Sequence, residues 1–206
     1  MPNTELWNIW SAILPLGILV RLMLTNPPPH HQSHTIQLMH TGVYTACITC
    51  QLCSFLYHTF NTVSLRVARA LYNLDLAGVC CMSFGSPYIY AKGYGTNGLE
   101  TYTAALFALM LWCHFLIAKA TLKDQEATCE RWIIALSALG NIPTLAHPTT
   151  TTAAATILAG YVIFYRFRFP DCVLPTANGT PVSSHVLWHW AVFAGQMGYV
   201  SSTFSG

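Results

Sequence analysis

Residues 54–75 read SFLYHTFNTVSLRVARALYNLD, and residues 184–189 answer them with SHVLWH. Long apolar runs flank both segments, so Ser54, His58, Asp75, His185 and His189 are polar groups set into hydrophobic stretches. The rest of the composition gives this weight. Of 206 residues, 53% are hydrophobic and 8% are charged. A water-covered domain carries roughly a quarter charged residues, so lipid is the expected solvent for most of this chain. A net charge of +2 without a basic patch excludes nucleic acid as a partner. Cys47, Cys50, Cys53, Cys80, Cys81 and Cys113 all lie in apolar runs and read as reduced, small hydrophobes rather than a disulfide scaffold.

A membrane span needs about 20 mainly apolar residues. Working outward from the two polar segments, that length predicts a single all-α domain over 1–206 with seven spans. They fall at 6–25, 36–60, 70–90, 99–119, 131–147, 151–166 and 183–204. The first is read as a span and not a signal peptide, because no Lys or Arg precedes it and the run continues past a signal core. Pro15 inside it is tolerable where neighbouring helices satisfy the freed carbonyl. TNPPPHHQSH (25–34) is a loop, since three prolines cannot continue a helix. A short connector with Arg66 and Arg69 is expected between spans two and three, and Gly93, Gly95 and Gly98 mark the next loop. KATLKDQEATCER (119–131) lies outside the bilayer, Asn141 and Pro143 break span five, HPTTTT (147–152) reads as a turn, and 166–182 as a proline-rich loop.

Orientation follows from charge. The even loops and their junctions hold Arg66, Arg69, Lys119, Lys123, Arg131, Arg166 and Arg168, against Arg21 and Lys92 on the other face. Positive residues favour the cytosol, so the N-terminus is expected there and the C-terminus on the extracellular or lumenal side. The formal glycosylation acceptor Asn178-Gly179-Thr180 is then cytosolic and unmodified.

Alternating helix direction brings the end of span two, the start of span three and the start of span seven to one membrane face. His185 and His189, four apart, share a helix face, as do Ser54 and His58. Three neutral imidazoles with an open fourth position match a catalytic zinc site, although copper, iron and nickel also accept imidazole. Asp75 beside such a metal either ligates it or hydrogen-bonds a water on it. Ser54 is placed to orient an imidazole or to stabilise a developing oxyanion. The plainer reading is that an isolated His in an apolar helix packs and hydrogen-bonds, and that Asp75 pairs with Arg66 or Arg69. A carboxylate at mid-bilayer costs about 2.5–3.5 kcal/mol on insertion scales, so Asp75 needs some partner. Cys47-x-x-Cys50-x-x-Cys53 reads as close helix packing, His30, His31 and His34 as a solvated loop cluster, and Glu100 and Glu130 as interfacial charges. His114 and His147 have no partner legible in the sequence.

Several segments together resemble the progestin and adipoQ receptor family, which includes adiponectin receptors, membrane progestin receptors and haemolysin III-like proteins. Glu5-Leu6-Trp7-Asn8-Ile9-Trp10-Ser11 is similar to the family's E-x-x-N-[IV]-W-[ST] opening. Ser54-x-x-x-His58 resembles its second-span motif, and Asp75 stands where its third-span aspartate stands. Arg168-Phe169-Pro170 ahead of Ser184-His185-x-x-x-His189 resembles its last motif. The chain departs in having Ala12 where the opening usually continues with His, and in starting almost on span one.

The resemblance implies seven helices with a cytosolic N-terminus and a zinc ion held by His58, His185 and His189, with Asp75 and Ser54 beside it. It also implies a receptor in the plasma membrane or the Golgi and endomembranes. Such a receptor takes a membrane lipid, either a ceramide-like substrate or a steroid ligand, or an extracellular hormone. Members are similar to ceramidases in this site. On that model a zinc-activated water attacks a lipid amide, Asp75 assists proton transfer, and Ser54 with zinc stabilises the oxyanion. The alternative is a non-catalytic steroid or hormone receptor in which zinc only ties the helices together. A transporter or channel finds no support, because no inverted repeat and no charged series along a span are present.

Overall fold

The computed structural model describes residues 4–28, 33–93, 98–119, 123–142 and 148–203. Among these residues the chain forms seven α-helices and no strand. In chain order they are α1 (Thr4–Thr25), α2 (His34–Phe60), α3 (Leu65–Gly93), α4 (Leu99–Lys119), α5 (Lys123–Gly140), α6 (Pro148–Gly160) and α7 (Ser184–Ser202). A π-helical turn, Tyr161–Arg166, extends α6, and a 3-10 turn, Pro175–Ala177, interrupts the following loop.

Local chemistry sets several helix ends. The Ser33 hydroxyl accepts the Ile36 amide at 3.4 Å at the start of α2. Ser64 does the same for Val67 at 3.2 Å, satisfying an otherwise orphaned first-turn donor. That cap starts α3 at Leu65, so Arg66 and Arg69 belong to its first turns and not to an irregular connector. The threonine run expected as a turn is also helical from Pro148. Proline is accepted at a helix start, where its missing N–H would have had no intrahelical partner. Part of the polar 119–131 segment is helical as well, since α5 begins at Lys123. Asn141 follows the end of α5, and Gly95 and Pro143 lie outside the described residues.

The helices pack along the chain: α1 on α2, α2 on α3, α3 on α4, and α4 on α5. The loop then carries α7 back to α1 and α2, with α6 along its other side. One core gathers Leu19, Tyr44, Cys47, Met82, Val192 and Tyr199, and a second gathers Leu76, Cys80, Met110 and Ile133 between α3, α4 and α5. The expected close packing of the cysteine stripe is present, because Gly78 of α3 sits directly against it. A Cβ there would come within 2.9 Å of the Cys53 Cβ and 3.1 Å of the Cys50 Cα. Seven cysteines among the described residues, the six of the apolar runs and Cys172, are free thiols.

The outer surface is apolar. Leu24, Leu38, Leu109, Trp112, Trp132 and Leu158 all project outward, large apolar side chains that water does not favour. Among the described residues one helix, Glu5–Thr25, is by itself long and apolar enough to cross a membrane, with Ala104–Leu116 a shorter apolar stretch.

Candidate metal centre

The bundle's connectivity brings the last turn of α2 beside the first two turns of α7. His58 lies at the first position, 3% exposed, and His189 at the second, 7% exposed, with His185 one turn before it. Their rings form a nearly regular triangle. Centroids are 5.0 Å apart for His58 and His185, 4.9 Å for His58 and His189, and 4.7 Å for His185 and His189. Three imidazoles bound tetrahedrally to one zinc would have centroids about 5.2 Å apart, given 2.0–2.1 Å bonds and the ring radius. One ligand nitrogen from each residue lies within 4.8 Å of the other two. The Nε2 atoms of His58 and His185 are 3.2 Å apart; tetrahedral ligands stand about 3.3–3.4 Å from each other. These three side chains can hold a metal ion.

Two of the imidazoles are held from behind by α1. The Glu5 carboxylate lies 2.7 Å from Nδ1 of His58, and the Ser11 hydroxyl 2.7 Å from Nδ1 of His189. A carboxylate accepts, so His58 carries a hydrogen on Nδ1, and Nε2 is the nitrogen turned toward the other rings. Metal-ligating histidines usually have such a partner on the second nitrogen, which fixes tautomer and ring orientation. The third ligand is supported through its helix. Asp171 accepts the Ser184 hydroxyl at 2.6 Å and the Ser184 amide at 3.1 Å, clamping the turn from which His185 projects. Behind His185, Tyr165 of the π-helical turn lies 6.4 Å away between ring centroids.

Ser54 and Asp75 form a separate pair at the edge of the triangle. The Ser54 hydroxyl and the His58 ring are the groups that interact with the Asp75 carboxylate. The serine that meets an imidazole is Ser11, whereas Ser54 is engaged with the aspartate. The sequence reading had not placed Glu5, Ser11 or Asp171 in the site. Glu5 and Ser11 were visible only as parts of the opening motif. Asp171 follows Arg168-Phe169-Pro170 directly and has no periodic pattern to mark it.

His114 does have partners: Asn73 at 2.7 Å on Nδ1 and the Cys80 thiol at 3.1 Å on Nε2. This buried group ties α3 to α4 away from the histidine triangle. His30, His31 and His147 lie outside the described residues, as do the side chains of Glu100 and Glu130, while His34 is exposed at the start of α2.

A family model described as haemolysin-III related matches residues 2–200. The chain belongs to the haemolysin-III related family. The match takes in α1 and most of α7, so every residue of the triangle and its α1 supports falls inside it. Among curated proteins nothing matches the chain significantly. Membership in the haemolysin-III related family, with the apolar exterior and the apolar α1, marks it as a membrane protein.

Proposed function

We propose that this protein is a multi-pass integral membrane receptor of the progestin and adipoQ type, with an intramembrane zinc site that hydrolyses a lipid amide such as ceramide. Its seven helices cross the bilayer with the N-terminus in the cytosol, in the plasma membrane or an endomembrane such as the Golgi. The observation that carries the reading is the triangle of imidazoles, with centroids 4.7–5.0 Å apart and Glu5 and Ser11 behind two of them. The donor set fits zinc: three imidazole nitrogens, pre-oriented, with no fourth protein ligand in the group among the described residues.

When bound, zinc supplies Lewis acidity toward a carbonyl or a water. The remaining work falls to the chain. His58, His185 and His189 hold the ion. Asp75, on α3 and hydrogen-bonded to Ser54, is the group placed to take up and return a proton beside it. Ser54, beside that carboxylate, is a neutral donor for negative charge developing there.

The test has two parts. Purified protein should contain about one zinc per chain, and the doubly substituted His185→Ala/His189→Ala protein should contain none. Ceramide hydrolysis by wild type should fall at least about a hundredfold in Asp75→Asn, the usual range for loss of a general acid–base. Zinc-free wild type would sink the reading. Zinc without any turnover would leave a receptor in which the metal is structural.

A further inference from the structure

α1 carries a row of polar side chains on the flank it turns toward α2 and α7. Glu5, Asn8 and Ser11 recur every third residue, so they wind along one side of the helix. Asn8 and Ser11 are buried, at 8% and 2% exposed, in a mainly apolar helix. Buried polar groups in such a setting need partners, and the Asn8 amide nitrogen and the Ser11 hydroxyl have them. The Asn8 amide donates to Glu5 at 3.4 Å. The carboxylate is therefore held from within α1 where it meets His58. Ser11 donates its hydroxyl hydrogen to the Asn8 carbonyl at 2.9 Å.

That last bond decides a protonation state. With its hydrogen committed to Asn8, the Ser11 oxygen has only lone pairs to offer at 2.7 Å to Nδ1 of His189. In that arrangement His189 is the donor, with its proton on Nδ1 and Nε2 left for a metal. Glu5 imposes the same tautomer on His58. Two helices far apart in sequence thus receive the same instruction from one helix.

We infer that Glu5 and Ser11 are positioning residues for the metal centre: α1 sets the tautomer and ring plane of His58 and His189 so that both present Nε2 to one ion. This rests on the metal reading above and adds a role for α1, which supplies no ligand of its own. Asn8 acts one step further out, holding Glu5 through its side chain and Ser11 through its carbonyl.

The test uses full-length protein in detergent, stripped of metal and titrated with cobalt(II), whose visible absorption reports ligand number and geometry. Ser11→Thr and Ser11→Val have nearly the same shape and differ in the hydroxyl, so any crowding is common to both. Ser11→Thr should keep wild-type affinity within about threefold. Ser11→Val should weaken cobalt binding about 10–100-fold with an altered absorption band, as expected for loss of a ligand's hydrogen-bond partner. Glu5→Gln, the same size without the charge, should weaken it about tenfold or more. Wild-type spectrum and affinity in both Ser11→Val and Glu5→Gln would overturn the inference while leaving the metal centre standing. Wild-type protein that takes up no cobalt would overturn the metal reading and this role together.

Discussion

The Nε2 atoms of His58 and His185 face each other across 3.2 Å, though the two residues are 127 positions apart. With the His58 proton held on Nδ1 by Glu5, its Nε2 is a lone pair aimed at a second ring nitrogen. Either a hydrogen on Nε2 of His185 or a cation can bridge the two nitrogens, and the third imidazole at nearly equal centroid distance from both makes a cation the better fit.

Metal and proton therefore compete for the same nitrogens. Acidifying the protein should release bound metal, because each imidazole must be unprotonated to ligate, and returning to neutral pH should restore it. Metal content measured after equilibration along a pH series checks this, with uptake rising as pH rises. Single replacement of His58, His185 or His189 by Ala should each bring metal content close to zero.

Asp171 is expected to matter through helix α7. Asp171→Ala removes both acceptors of the Ser184 amide and hydroxyl and should cost about 1–2 kcal/mol, the range for loss of a helix cap. Its second effect is on the metal: His185 should move more freely, and metal affinity should fall while one ion per chain is still bound. Thermal unfolding and a cobalt titration on the same sample separate the two effects.

Close approach of α2 and α3 predicts opposite outcomes at two glycines. Gly78→Ala would drive a Cβ to within 3.1 Å of the Cys50 Cα, a backbone atom that cannot rotate away. A loss of about 1–3 kcal/mol is expected from such overpacking. Gly17 of α1 has open space around it, so Gly17→Ala should be neutral or stabilising by up to about 1 kcal/mol. Melting temperatures of the two variants should shift in different directions.

Gln51 of α2 donates to Gln196 of α7 at 2.8 Å, and Gln196 donates onward to the Met82 sulfur at 3.3 Å. Both glutamines are buried, so losing one strands the other. A double-mutant cycle with Gln51→Leu and Gln196→Leu should give a coupling of about 0.6–1.7 kcal/mol, the range for helix–helix hydrogen bonds in membranes. The double variant should be more stable than the sum of the single changes implies, and its metal content should be unchanged.

How much was legible beforehand depends on the range of the physics involved. Solvent preference is a sum over residues, so 8% charge and long apolar runs were enough to read an all-helical membrane chain. Helix periodicity is local, so His185 and His189 could be assigned to one face from their spacing alone. Antiparallel connectivity then brought His58 and Asp75 to the same end. Errors fell where a single side chain outranks composition. Ser64 caps a helix that takes in Arg66 and Arg69, and Pro148 opens a helix through threonines that read as a turn.

Composition and spacing were enough for the class of solvent, the helical state and the choice of three imidazoles. What stands behind those rings depends on how distant helices meet. Glu5 meets His58 across 53 residues and Ser11 meets His189 across 178, and which nitrogen of a ring is held depends on an orientation set by packing. No periodicity records such a pairing, because a hydrogen bond between distant helices depends on the position of both backbones at once. The same holds for Ser54: the approach of α3 sets Asp75 beside it, a neighbour that its spacing from His58 does not record.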